Sequence, residues 1–172
     1  FADDQLAARL RTDMTENLNY LLNVKGATPI QLGPISLSPR TAIESIVKHQ
    51  QRFVPKKYFA EMQGLADASG VPLKDVQMAN FIPEMFHCSG FALFGNATVG
   101  GKMYHGRILD YLRGMGLEQN ATVIVFQPDQ GNAWVNVGYA GFVGSVTAMN
   151  EKHVAIGEMG GRGEGHWDGK PM

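Results

Sequence analysis

The 172-residue chain contains one cysteine, Cys88, so any thiol chemistry it performs is centred there. A lone cysteine excludes a disulfide framework within the chain and a cysteine-based zinc site. Most free cysteines are small buried hydrophobes, and that is one reading of Cys88. The other is a nucleophile. A thiol with an ordinary pKa of about 8.5 is mostly protonated at neutral pH, and it attacks a carbonyl well only with a base or a positive charge beside it. One arrangement supplies a separate histidine, its ring oriented by an Asn or Asp. Another uses the α-amine of the cysteine itself, freed when the preceding peptide bond is cut, whose pKa of about 7.7–8.0 suits a general base. The first acts in an unbroken chain. The second requires cleavage between His87 and Cys88, and leaves the uncut chain inactive because an amide nitrogen is no base.

Arg107 and Asp110 are the next candidates. Their spacing of three puts them on opposite faces of a plain strand, so a bend or bulge near Gly106 is expected if both serve one site. Otherwise they form a surface ion pair. Asn150 is a candidate donor to a site loop, or a turn residue chosen for its tolerance of left-handed backbone. Ser89 is positioned in sequence to assist a cleavage step, and His105 reads as a strand residue with a structural hydrogen bond. His49, His87, His105, His153 and His166 lack metal-ligand spacing, so neither a metal nor a cofactor is expected. The glycine-rich run 160–165 fails the dinucleotide fingerprint and reads as a mobile loop or a lid.

The elements that must carry these groups change character at Cys88. Of the 21 glycines, only Gly26, Gly33, Gly64 and Gly70 precede it. The segment before it is helical in pattern. Leu6, Leu10, Met14, Leu18, Leu21 and Leu22 form one stripe. Ser38 and Pro39 open a second helix buried through Ile43, Ile46 and Val47. A third begins after Pro55, with Tyr58, Met62, Leu65 and Ala66 on one side and Gly70 as its stop, and a short fourth begins near Pro72. After Cys88 the segments near 88–95, 102–109, 121–127, 132–138, 142–149 and 153–158 are short, β-rich and separated by turns, which predicts antiparallel strands. The expected class is α+β.

Cys88 at the start of a strand, followed by His105, Gly106, Arg107, Asp110 and Tyr111, resembles the opening of the mature chain in the acyl-coenzyme A:6-aminopenicillanic-acid acyltransferase family. Choloylglycine hydrolases, penicillin V acylases and acid ceramidase are more distant relatives in this resemblance. It extends less specifically to Met149–Ala155, where His153 occupies the position of the relatives' glycine. The resemblance implies an N-terminal-nucleophile cysteine hydrolase with an antiparallel αββα sandwich. Residues 1–87 become a helical pro-segment, or α-subunit, that stays associated after cleavage, and 88–172 the start of a catalytic domain that continues further in relatives. It implies hydrolysis or acyl transfer at a linear amide of a small N-acyl substrate through an acyl-enzyme thioester, with an acyl-thioester co-substrate allowed. Cys88 attacks, Asp110 orients its amine, and Arg107 lowers the thiol's pKa and contacts substrate. The rivals are an unprocessed, catalytically silent scaffold of the same fold and a papain-like Cys/His hydrolase.

Net charge is −1 and the basic residues are dispersed, which argues against nucleic acid or an anionic membrane surface as partner. No apolar stretch reaches the ~20 residues needed to span a bilayer. An exported location (periplasmic, extracellular or lysosomal) is preferred to a cytoplasmic one, and a homo-oligomer is left open. Asn96 and Asn120 head sequons that matter only in a glycosylating host.

Overall fold

The computed structural model describes residues 4–20, 29–81, 88–110 and 117–159. It is α+β, with helices α1 (Asp4–Asn19), α2 (Pro39–Gln50), α3 (Lys56–Ser69) and α4 (Leu73–Phe81) preceding a strand-rich half. Local signals set the helix ends. Ser38 Oγ accepts from Thr41 N at 3.1 Å, satisfying a first-turn donor, and Pro39 occupies the first turn of α2. Gly70 ends α3 in the left-handed region at φ 70°, its N–H bonding Ala66 O at 2.8 Å. One element departs from the helical expectation. Strands β1 (Ile30–Leu32) and β2 (Ile35–Leu37) form a hairpin turned by Gly33 at φ 62°. Leu21 and Leu22 of the expected stripe lie outside the described residues, as do the side chains of Leu6, Leu10 and Leu18.

Two apolar cores join the residues before Cys88 to those after it. Ile43 and Val47 of α2 and Met78 and Phe81 of α4 pack with Leu117 and Tyr139. Met14, Met62, Leu65, Ala66, Val71 and Val76 form the second core, with Ala140 and Val143 packed against it. Asn80 ties α4 across the same boundary: its Nδ2 donates to Gly141 O at 3.0 Å, and its Oδ1 accepts from Val143 N at 2.7 Å.

Strands β3 (Ser89–Gly95) and β4 (Gly101–Ile108) make an antiparallel hairpin. Strands β5 (Ala121–Phe126), β6 (Trp134–Tyr139), β7 (Thr147–Asn150) and β8 (Ala155–Gly157) make a four-stranded antiparallel sheet in that order. Register assigns its two faces, because cross-strand partners share a face. Phe126 pairs with Trp134, and their rings stack at 4.0 Å on the side of Tyr58 and Phe81. Val135, Val137 and Met149 lie on the other side, across a cleft of about 770 Å³ from Met103 and His105 of β4. The layers therefore run helices, four-stranded sheet, hairpin. Among the described residues no helix is long and apolar enough to cross a membrane.

Two strand expectations need correction. Residues 142–146 are irregular rather than extended, because side chains take their backbone groups: Asn80 bonds Val143 N, and Asn136 Nδ2 donates to Gly144 O at 3.3 Å. The expected bulge near Gly106 is absent. The β3–β4 ladder is regular from Ser89↔Ile108 to Leu93↔Tyr104, and its irregularity falls between Leu93 and Gly95.

Candidate active site

Cys88 stands directly before β3, and the hairpin register places Arg107 opposite Gly90, two residues along. Glycines permit the approach. A Cβ at Gly90 would lie 3.1 Å from Gly106 O, and one at Gly157 would lie 3.0 Å from Arg107 Cγ and 3.0 Å from His105 Cε1. The Arg107 stem therefore crosses β8 at Gly157 and reaches Glu158.

Arg107 Nη2 donates to Cys88 Sγ at 2.8 Å and to Glu158 Oε2 at 3.0 Å, while its Nε donates to Glu158 O at 3.1 Å. Its side chain is only 4% exposed, which makes these directional bonds rather than a surface ion pair. The Cys88 thiol donates to Glu158 Oε2 at 3.2 Å. Asp110 arrives because the chain continues past the end of β4 at Ile108, not because the strand bulges. Its backbone N–H bonds the Cys88 sulfur, and its Oδ2 accepts from Ser89 Oγ.

These contacts set the thiol's acidity. Burial raises the Cys88 pKa above its ordinary value, and the hydrogen bond and charge of Glu158 raise it further. The Asp110 N–H and the Arg107 charge pull it down without prevailing. Arg107 thus acts in the expected direction, but against a larger opposing effect.

Glu158 escaped the sequence reading because it is 70 residues from Cys88 and belongs to no spacing motif. The available signal was Gly157, a glycine inside a strand pattern, which marks close backbone approach. One oxygen of Glu158, Oε1, is buried with no hydrogen-bond partner among the described residues. The same residue lines a cavity of about 350 Å³ between α3, α4 and the four-stranded sheet.

Asn150 is not brought to this cluster by any contact among the described residues. It stands at the turn of the β7–β8 hairpin, the end away from Glu158, where its Oδ1 accepts from Lys152 N and Val154 N, both at 3.0 Å. His153 adopts φ 61° in that turn, a left-handed conformation that glycine takes without strain. His105 faces the cleft beneath the hairpin rather than the sulfur. His87, Tyr111 and the glycine-rich run 160–165 lie outside the described residues. Among the described residues, no group of three or more His, Cys, Asp or Glu side chains is placed to hold a metal ion.

No family model matches the chain. It is similar to protein dcd1A of Dictyostelium discoideum, 31% identical over 119 residues that make up 63% of this chain and 27% of that protein. Protein dcd1B of the same organism is 27% identical over 115 residues, 64% of this chain and 23% of that one. An uncharacterized protein of Archaeoglobus fulgidus is 26% identical over 139 residues, covering 66% and 23% respectively. The chain thus spans about a quarter of the length of these curated relatives.

Proposed function

We propose that this chain belongs to an N-terminal-nucleophile cysteine amidohydrolase or acyltransferase acting on linear N-acyl amides, activated by cleavage between His87 and Cys88. The observation that carries the reading is the Cys88 sulfur, bonded at once by Arg107 Nη2 at 2.8 Å and to Glu158 Oε2 at 3.2 Å, with Glu158 also lining an apolar cavity. In the uncut chain the Glu158 carboxylate receives the thiol proton while the Cys88 sulfur attacks the His87 carbonyl carbon. The C–N bond breaks, the departing nitrogen takes a proton, and water opens the thioester to leave a free amine on Cys88. That amine then serves as the base for substrate turnover, oriented by Asp110, whose carboxylate Ser89 already holds. The cavity receives the acyl group, and the unpartnered Glu158 Oε1 accepts a donor from substrate.

The layer order supports an αββα sandwich of this type, and the two cores shared across residue 88 support a leader that stays bound once cut. A papain-like reading receives less support, because the described partners of the sulfur are Arg107, Glu158 and Asp110, none of them a histidine. Intact-mass analysis of freshly purified protein tests the proposal, with Cys88→Ala as control. Two products meeting at His87/Cys88, absent from the control, are expected. Full turnover of an N-acyl amide by an unbroken chain would refute it.

A further inference from the structure

The cavity beside Glu158 has a wall chemistry that goes beyond a plain acyl pocket. Five aromatic side chains line its volume of about 350 Å³: Tyr58, Phe81, Phe126, Trp134 and Phe142. Glu61 and Glu158 line it as well, and among the described residues no Lys, Arg or His does. The two carboxyls are not equivalent. Glu158 has its counter-charge in Arg107 at 3.0 Å, whereas Glu61 takes part in no ion pair or hydrogen bond among the described residues. The charge facing Glu61 from its own helix is Lys57, whose Nζ sits 4.9 Å from the centroid of the Tyr58 ring. Glu61 is an exposed residue, and the partial loss of its hydration raises its carboxyl above its ordinary pKa, with Lys57 opposing.

A carboxylate with no hydrogen-bonded partner beside aromatic faces recognises an ammonium, through charge pairing and cation–π attraction. A carboxylate or phosphate entering the same space meets two acidic groups, and among the described residues no Lys, Arg or His lines the wall to offset them. We infer that the cavity binds an apolar group carrying an ammonium, and that Glu61 is its specificity-determining residue. The inference rests on the reading of this cavity as the substrate site beside Cys88, and it narrows the substrate to N-acyl amides with a cationic, otherwise apolar moiety.

Isothermal titration of the purified chain at pH 7 with hexylamine hydrochloride, 1-hexanol and sodium hexanoate tests it. Hexylammonium is expected to bind about tenfold more tightly than hexanol, with hexanoate weakest. Glu61→Gln is expected to bring hexylammonium to within about twofold of hexanol and to leave hexanol unchanged, while Lys57→Ala tightens hexylammonium by removing an internal competitor. Equal binding of hexanoate and hexylammonium, indifference to Glu61→Gln, or no binding of any of the three would overturn it. None of these ligands contains an amide, so the outcome is independent of Cys88 chemistry, which the intact-mass experiment reports separately.

Discussion

Replacing Arg107 by glutamine isolates the balance that governs the Cys88 sulfur. The substitution removes an N–H donor 2.8 Å from Sγ, on a side chain 4% exposed, and leaves the Glu158 carboxylate 3.2 Å away. A hydrogen bond involving a charged partner contributes about 1.5–3 kcal/mol. Cys88 is only half-buried, so the low end applies, and ~1.4 kcal/mol corresponds to a tenfold loss of thiolate at a given pH. A more basic thiolate is also the better nucleophile, which returns roughly a factor of three. Iodoacetamide alkylation of Arg107→Gln at pH 7.5 is therefore expected to be about threefold slower than in the unsubstituted protein. The midpoint of its pH–rate profile should move up. Glu158→Gln removes an effect that raises the thiol pKa, so its midpoint should move down and its alkylation at pH 7.5 should quicken. Arg107→Lys keeps the charge without the planar fork and should fall between the unsubstituted protein and Arg107→Gln, which guards against a fold lost in the latter. Linkage adds a check of sign. Because the folded thiol pKa is raised, the associated stability is full below the unfolded value of about 8.5 and declines as pH rises through the folded value. A midpoint that stays still or falls in Arg107→Gln, or rises in Glu158→Gln, would refute this account of the site.

Substitutions at Asn80 and Gly157, each with a control, probe the scaffold. Asn80→Ala strips partners from Gly141 O and Val143 N at the loop before β7, and should cost about 1–3 kcal/mol in urea unfolding. Asn80→Asp keeps the acceptor for Val143 N and should lose less. Gly157→Ala puts a methyl 3.0 Å from Arg107 Cγ, costing about 1–3 kcal/mol and slowing Cys88 alkylation through a displaced guanidinium. Gly141→Ala is the matched control: at φ 85°, with Met14 Cγ at 2.6 Å, it should destabilise comparably and leave alkylation unchanged. Equal alkylation changes in both glycine variants would remove Gly157 from any positioning role.

By itself the sequence determined whatever depends on near neighbours along the chain. Ser38 and Pro39 open α2, Gly70 closes α3, and the apolar period changes beyond Cys88, because caps, proline and alternation act over a few residues. The return of the hairpin beside Cys88 was legible for the same reason, whereas the choice of Arg107 as the sulfur's neighbour came from the resemblance. Only the tertiary structure decided the rest. It brought Glu158 to the sulfur from 70 residues away, over a glycine that lets β4 cross β8. It kept residues 142–146 out of the sheet by giving their backbone groups to Asn80 and Asn136. It occupied Asn150 with its own turn. Each of those outcomes turns on which polar group a distant side chain satisfies, and that competition is settled only when the layers pack.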